Sequence, residues 1–227
     1  MSVAVRVRGL RAGYGPVEVL HGVDLDLPAG RVTAVLGRNG AGKTTLLRAI
    51  AGLLPAVGSV QLRGVDLSRH PTYRRARDGV VLIPDDGGVF ADLTVEQNVS
   101  LFAGRASGAS AFDTFPVLGQ RRRQRAGTLS GGEQRMLALS RALVRPARLL
   151  LVDELSRGLA GPVAAQLYRV LVELARSTDT AVVLVEQDAA ALPLAHVAYV
   201  LSRGSVIFAG EPADLPRQPL SSSSGTS

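Results

Sequence analysis

One stretch of the 227-residue chain reads Gly37-Arg38-Asn39-Gly40-Ala41-Gly42-Lys43-Thr44 and matches the pattern G-x-x-x-x-G-K-[ST] at every defined position. An apolar run at residues 32–36 precedes it, and a helix-forming stretch at residues 44–54 follows it. Glycines in such a loop let successive backbone N–H groups turn toward an anion, and the helix N-terminus adds partial positive charge. The stretch therefore predicts a strand, a phosphate-binding loop and a helix, in that order.

The end of this loop carries the side chains expected to act on a bound nucleotide. Lys43 is placed to reach the β- and γ-phosphates, and the Thr44 hydroxyl is placed to ligate Mg²⁺, with Thr45 beside them. Lys43 is also the single Lys among the 26 Lys and Arg residues of the chain. A compact ammonium fits between phosphates where a guanidinium fork is too bulky. The one exception to the preference for Arg thus marks the predicted site.

A second motif follows an apolar run at residues 149–152, where Asp153 and Glu154 stand side by side. Acids at the carboxyl end of a buried strand lie where open α/β sheets bind their ligands. Asp153 is expected to hold Mg²⁺, and Glu154 is expected to polarise the attacking water. An Asp-Glu pair after an apolar run could also simply cap a turn, but its combination with the phosphate-binding loop favours the functional interpretation.

A third motif, Leu129-Ser130-Gly131-Gly132-Glu133-Gln134, opens a predicted helix. The order of the three motifs resembles the ATP-binding subunit of ABC transporters, and the resemblance extends from Val3 to about Leu215. It implies an α/β fold, the ABC-type nucleotide-binding domain of the P-loop NTPases. Such a domain has a mostly parallel core sheet, an antiparallel β subdomain and a small helical insert. It also implies that Ser130, Gly131, Gly132 and Glu133 contact the ATP held by a second subunit.

The resemblance assigns three further positions and also shows where this chain departs from the family. Tyr14 falls where the family stacks an aromatic ring on adenine, Asp85 where it senses Mg²⁺, and Gln187 where it places a γ-phosphate switch. Most members have Gln and His at the last two positions. The other departures are Gly87 and Gly88 for two arginines, Leu155 for Pro and Ala160 for Asp. The three motifs remain intact, so we expect an active ATPase that uses ATP and Mg²⁺, slowed by these departures.

The domain prediction follows the alternation of apolar runs and helical stretches. Residues 1–215 are expected to form the ATP-binding domain, with the helical insert at about 92–145, and the Ser-rich residues 216–227 a disordered tail. The predicted strands are residues 3–7, 17–27, 32–36, 58–62, 80–83, 149–152, 181–185, 197–201 and 205–208. The predicted helices are residues 44–54, 95–102, 132–144 and 162–176, with a small-residue loop at 104–110 and a turn at 12–16.

Finer features resemble the branch that serves importers of branched-chain amino acids and related amides or urea. They lie in residues 83–98, 121–138 and 185–188. This branch implies a second ATP-binding subunit, membrane permease subunits and an extracytoplasmic substrate-binding protein as partners. The chain is then expected in the cytoplasm, peripheral on the inner face of the membrane. The first ten residues alternate Val with Arg, so we expect no secretion signal, and no apolar run is long enough to span a bilayer.

Composition excludes some functions and keeps one alternative open. The chain has no Cys and three scattered His, which excludes a disulfide scaffold, a Cys-ligated metal and a thiol nucleophile. Its net charge of +7 keeps open a soluble ABC-type ATPase that acts on nucleic acid or ribosomes. The arginines are dispersed apart from clusters at 74–77 and 121–125, which we interpret as solvated faces or lipid-headgroup contacts, so nucleic acid is the less favoured partner. A P-loop kinase is disfavoured because the third motif has no role there.

Overall fold

Two β-sheets with helices around them make up the fold in the computed structural model, which describes residues 2–104, 106–187 and 189–215. The strands are β1 (Val3–Tyr14), β2 (Val17–Pro28), β3 (Val32–Leu36), β4 (Ala56–Leu62), β5 (Val65–Asp66), β6 (Val80–Ile83), β7 (Leu149–Asp153), β8 (Ala181–Glu186), β9 (Val197–Ser202) and β10 (Ser205–Gly210). The α-helices are α1 (Lys43–Ala51), α2 (Thr72–Arg77), α3 (Val95–Ala103), α4 (Ala109–Thr114), α5 (Pro116–Gln120), α6 (Gly131–Val144) and α7 (Gly161–Thr178). Short 3₁₀ helices span Ala126–Thr128, Ala189–Leu194 and Pro212–Asp214.

The six-stranded sheet has the order β10-β9-β3-β8-β7-β6, and all neighbours pair in parallel except β10 with β9. Every residue of β3, β7 and β8 is buried, because helices or the second sheet cover both faces. Alternate residues enter different cores: Leu150 and Val152 face α6 and α7, whereas Leu149 and Leu151 face α1 and the second sheet. The core sheet therefore presents its strand ends, and little else, to a ligand.

The second sheet is antiparallel, with the order β2-β1-β4-β5, and it confirms the predicted two-sheet α/β architecture. The strand predicted at residues 3–7 runs much further, to Tyr14, and the turn is confined to Gly15 and Pro16. The prediction was too short because the register shifts between Val7 and Leu10, which interrupts the alternation. Gly9 allows this irregularity at φ +58°, and its N–H bonds Asp24 Oδ1 at 2.6 Å.

Helices α3 to α6 occupy the region predicted as a helical insert. Thr94 begins α3 with a capping box, since its hydroxyl accepts from the Gln97 N–H and the Gln97 side chain accepts from the Thr94 N–H. Buried Asn98 accepts from the Phe90 N–H and donates to the Phe90 carbonyl, which fixes the segment before the helix. The loop predicted at 104–110 is shorter than expected because α4 begins at Ala109. The tail predicted at 216–227 lies outside the described residues.

The arginine clusters have structural partners that the sequence did not reveal. Arg75, on the unpredicted helix α2, is buried, and its guanidinium donates to four backbone carbonyls, those of Ala49, Ile50, Ser68 and His70. Two of these belong to the last turn of α1, so Arg75 caps that helix. Burial lowers the pKa of Arg75.

In the second cluster, Arg121 pairs with Glu133 at 2.9 Å. Arg122 lies over the Phe112 ring at 4.1 Å. The interpretation of the clusters as solvated faces or lipid-headgroup contacts was therefore wrong for buried Arg75. Arg121 and Arg122 are exposed, but their contacts within the chain leave less cationic charge available to an anionic partner than the sequence suggests.

We expect Arg75→Ala to lower the free energy of unfolding by about 2–3 kcal/mol, because it leaves the α1 carbonyls buried without their donor. Urea denaturation of the purified chain measures this. Arg74→Ala, at an exposed position of the same helix, is the matched control. Equal stabilities of the two variants would contradict the capping role.

Candidate active site

The phosphate-binding loop lies between β3 and α1 and is held against the turn between β9 and β10. The Gly204 N–H donates to the Ala41 carbonyl at 2.9 Å. A Cβ added at Gly37 would lie 2.5 Å from the Leu201 carbonyl oxygen, so the approach of the two backbones requires glycine there. Gly42 has φ +105° immediately before the helix. Steric demand thus explains these two glycines before any ligand is considered.

Lys43 is the first residue of α1, and its side chain folds back over the loop. Its Nζ donates to the Gly37 carbonyl at 2.7 Å and to the Arg38 carbonyl at 3.2 Å. Burial lowers the pKa of Lys43, whereas the nearby carboxylates of Glu154, Asp153 and Glu186 act in the opposite direction. The ammonium therefore lies between the loop and a group of acids at the ends of β7 and β8.

Asp153 is the last residue of β7 and carries the features of a cation ligand. Its carboxylate is buried, and among the described residues Oδ1 has no hydrogen-bond partner. Burial raises the pKa of Asp153, the charges of Asp85 and Glu154 add to that shift, and the Thr44 hydroxyl and Lys43 oppose it. A buried carboxylate oxygen without a donor is suited to a hard cation.

The donors at this position suit Mg²⁺, which needs only a few protein ligands, better than a metal ion whose ligands all come from protein side chains. Within the described residues, no group of three or more His, Asp or Glu side chains is arranged to hold a metal ion. Mg²⁺ commonly uses one or two carboxylates and completes its shell with phosphates and water. Asp153, with the Thr44 hydroxyl beside it, supplies that kind of incomplete site.

Glu154 begins the turn after β7 in an unusual backbone conformation. Its φ is +46°, which is rare for a residue with a side chain, and its N–H donates to the Val185 carbonyl at 2.9 Å. Strained conformations of this kind persist where the surrounding structure fixes them, and they occur often at active sites. The bond to β8 thus places Glu154 next to Asp153 at the end of the sheet.

Glu186, which the sequence analysis did not select, is a buried acid at the end of β8. It accepts from the Tyr168 hydroxyl at 2.9 Å and from the Ser156 N–H and hydroxyl, both at 3.3 Å. Glu186 therefore links two elements: β8, which leads to exposed Gln187, and the turn that contains Glu154. An acid that ends an otherwise apolar strand is the signal that could have identified it.

The third motif forms the N-terminus of α6 on an exposed surface. Ser130 caps the helix, because its hydroxyl accepts from the Glu133 N–H and its own N–H donates to the Glu133 carboxylate. Gly131 has open space where a Cβ would lie, whereas a Cβ on Gly132 would be 2.9 Å from Val163 Cγ1. Glu133 also pairs with Arg121, so its carboxylate already bonds two groups of its own chain.

Tyr14 ends β1 with a half-exposed ring, and its hydroxyl accepts from Arg48 Nη1 of α1 at 3.4 Å. This contact connects the predicted adenine-stacking residue to the helix that carries Lys43. An exposed ring at the end of a strand presents a face on which a planar base can stack.

The loop after β6 contains Asp85, Gly87 and Gly88, and α6 holds it in place. Both glycines have positive φ, +78° and +58°. Arg135 donates to the Pro84 carbonyl at 3.2 Å, and Arg141 donates to the carbonyls of Gly88 at 2.5 Å and Leu82 at 3.2 Å. Gly87 and Gly88, which replace two family arginines, bring no charge to this loop, but α6 places two guanidinium groups against it.

Comparison with known proteins agrees with this geometry. Residues 20–157, more than half of the chain, match the family model described as ABC transporter. The chain belongs to the ABC transporter family. As an ABC ATP-binding subunit it binds ATP and hydrolyses it to power transport.

Several relatives with this domain are described as transport or import ATP-binding proteins. The chain is 39% identical over 215 residues to the high-affinity branched-chain amino acid transport ATP-binding protein BraG of Pseudomonas aeruginosa, covering 91% of this chain and 92% of that protein. It is 37% identical to the probable branched-chain amino acid transport ATP-binding protein LivF of Archaeoglobus fulgidus, with 93% of each covered. It is also 35% identical to the Fe(3+) ions import ATP-binding protein FbpC of Mesorhizobium japonicum, covering 95% of this chain and 62% of that one.

Solved structures support the same fold. A nucleotide-free ATP-binding cassette from an ABC transporter has a TM-score of 0.80 at 23% identity, with 92% of each chain covered. A cassette of an ABC transporter in its ADP conformation has the same TM-score and identity, with 95% of each covered. At this identity the likeness concerns the fold alone.

We expect Gly37→Ala to weaken ATP binding at least about tenfold, because its Cβ would force the loop away from the Leu201 carbonyl. Titration with a fluorescent ATP analogue gives the Kd. Gly161→Ala is the matched control, since a Cβ there meets nothing within 4 Å. A Gly37→Ala chain with the Kd of the control would show that the close approach is not required for binding.

Proposed function

We propose that this chain is the ATP-hydrolysing subunit of an importer of branched-chain amino acids or related small polar solutes. The observation that carries this proposal is the similarity to BraG and LivF along almost the full length of all three chains. Relatives described as iron and sulfonate import proteins share the domain, so the domain itself does not specify the solute. The proposal for the solute class therefore rests on these two relatives and on the branch features at residues 83–98, 121–138 and 185–188.

The proposed nucleotide site uses the loop at residues 37–44 and the residue after it. The backbone N–H groups of Gly37, Arg38, Asn39, Gly40, Ala41 and Gly42 surround the phosphates, together with Lys43, Thr44 and Thr45. Lys43 exchanges its bonds to the Gly37 and Arg38 carbonyls for bonds to phosphate oxygens. Tyr14 stacks on the adenine ring.

The acids at the strand ends are proposed to hold the metal ion and to orient the attacking water. Thr44 and Asp153 would hold Mg²⁺, with Asp85 nearby, and the ion would neutralise charge on the phosphates. Glu154 accepts a hydrogen bond from the attacking water and thereby orients that water toward the γ-phosphate. Gln187 donates a hydrogen bond to a phosphate oxygen, since its amide carries two donors but no charge. ATP and water then give ADP and phosphate.

The subunit arrangement proposed here is a dimer, formed with a second copy or with a related chain. Ser130, Gly131 and Gly132 are exposed or partly exposed at the N-terminus of α6, where N–H groups and helix charge favour a phosphate. These residues would contact the ATP held by the partner. Glu133 contributes by keeping Ser130 in place, because its carboxylate is already bonded to Ser130 and Arg121.

We further propose that α3 contacts the membrane permease. A groove of about 420 Å³ lies along this helix and is lined by Leu93, Glu96, Gln97, Ser100 and Leu101. Leu101 is 59% exposed and Phe90 is 53% exposed, which favours burial against a partner. No helix in the described part of the chain is long and apolar enough to cross a membrane. In this arrangement the subunit lies on the inner face of the membrane, and an extracytoplasmic binding protein delivers the solute.

Glu154→Gln is expected to abolish hydrolysis and to accumulate an ATP-bound dimer, because the amide cannot take up a proton from water while nucleotide binding persists. Gel filtration with Mg-ATP measures the dimer, and phosphate release measures hydrolysis. Glu173→Gln, an acid exposed on α7, is the control. Hydrolysis by Glu154→Gln at the control rate would contradict the proposed role.

Leu101→Arg is expected to reduce association with the permease while ATP binding stays unchanged, because it places a charge in the α3 groove. Co-sedimentation of the tagged chain with membranes of its source cells measures the association. Ile207→Arg on β10 is the matched control, as Ile207 is 64% exposed but lies outside the groove. Wild-type sedimentation of Leu101→Arg would contradict docking at α3.

A further inference from the structure

The turn after β7 places a cation directly against the proposed water-activating carboxylate. Arg157 Nη1 donates to Glu154 Oε2 at 3.2 Å. The Glu154 side chain is 14% exposed, whereas the Arg157 side chain is 67% exposed. The pair thus closes the solvent side of a mostly buried acid with a largely solvated guanidinium.

This pairing is fixed by the backbone of the turn rather than by the side chains alone. The Arg157 N–H donates to the Glu154 carbonyl at 3.4 Å, and the Leu159 N–H donates to the Ser156 carbonyl at 3.0 Å. Together with the positive φ of Glu154, these bonds bring the two side chains to the same side of the turn. The fold therefore selects Arg157 as the neighbour of Glu154.

The inner side of the same turn is anchored to the sheet. The Ser156 N–H and hydroxyl both donate to the buried Glu186 carboxylate at 3.3 Å. Tyr168 of α7 donates to that carboxylate as well. Because Ser156 is held from within, Arg157 is the member of the turn whose side chain can leave Glu154 without disturbing the core.

Glu154 also lies near a second cation, and the two have different roles. Lys43 is buried and bonded to the phosphate-binding loop, and the proposed function uses it to bind phosphate. The side-chain bond of Arg157 goes to Glu154 and not to the phosphate-binding loop, and the proposed nucleotide chemistry does not use Arg157. A guanidinium on the carboxylate competes with water for the oxygen that a general base must offer.

We infer that Arg157 is a positioning residue that holds the Glu154 carboxylate while the subunit is isolated from its partners. This ion pair restrains ATP hydrolysis until it opens. The inference rests on the proposed role of Glu154 as the base. An ion pair with one solvated partner is weak and is screened by salt, so the restraint is modest and reversible. Its loss raises the basal hydrolysis rate about two- to fivefold.

The test compares steady-state ATP hydrolysis by the full chain and its variants at low and high salt. Arg157→Ala is expected to raise kcat about two- to fivefold with KM for ATP unchanged, and to lose the rise in kcat that salt produces in the wild type. Arg157→Lys is expected to fall between the two, since it keeps a charge but not the planar fork. Arg176→Ala is the matched control, because Arg176 forms the same i, i+3 pair with Glu173 on an exposed face.

The outcomes separate this inference from the proposed function on which it rests. An inactive Glu154→Gln together with an Arg157→Ala whose kcat equals that of Arg176→Ala, or falls below it, overturns the inference alone. A Glu154→Gln that hydrolyses ATP at the wild-type rate overturns both. Thermal melting of each variant checks folding, and the solvated position of Arg157 predicts a Tm close to that of the wild type.

Discussion

The site depends on the accumulation of charge at the end of strands that are apolar along their length. β3, β7 and β8 are buried on both faces, so the chain can place ionised groups only where these strands stop. Lys43 and Asp153 lie near each other there. Burial lowers the pKa of Lys43 and raises the pKa of Asp153, and the charge of each residue partly offsets the shift in the pKa of the other. Removing the Lys43 charge leaves Asp153 buried without this neighbouring cation, whereas Lys43 without Asp153 still has Glu154 and Glu186 nearby. The loop, the metal ligand and the base therefore form one electrostatic unit.

Much of the fold could be predicted because its determinants are local. The strands at 32–36 and 80–83 have the predicted bounds, since these buried parallel strands are mostly apolar and are followed directly by Gly37 and Pro84. The predicted starts of α3 and α6 lie within one residue of the observed ones, and Thr94 and Ser130 cap these helices in the structure. Helix α2 escaped prediction because it is short and rich in Arg, and it is held by the burial of Arg75, a contact that joins distant residues.

The site shows the same division. The three motifs are contiguous in sequence, so the phosphate-binding loop, the Asp153–Glu154 pair and the Ser130 cap could be identified directly. Glu186 has a role that arises only when β8 approaches the turn after β7, and Arg157 meets Glu154 only through the backbone conformation of that turn. Likewise, the positive charge lacking at Gly87 and Gly88 comes from a helix about fifty residues away in sequence. Sequence reasoning finds the reacting groups more readily than the groups that hold them.

Helix α6 connects two surfaces that would otherwise be independent. Its first turn presents Ser130 outward, and Arg135 and Arg141 further along it hold the loop after β6. An α-helix is stiff along its axis, and at 1.5 Å per residue its 14 residues span about 21 Å. Because Arg135 and Arg141 bond the loop after β6 to this helix, the positions of that loop and of the Ser130 end of the helix are mechanically coupled. A change in position at one end of α6 therefore moves the residues at its other end.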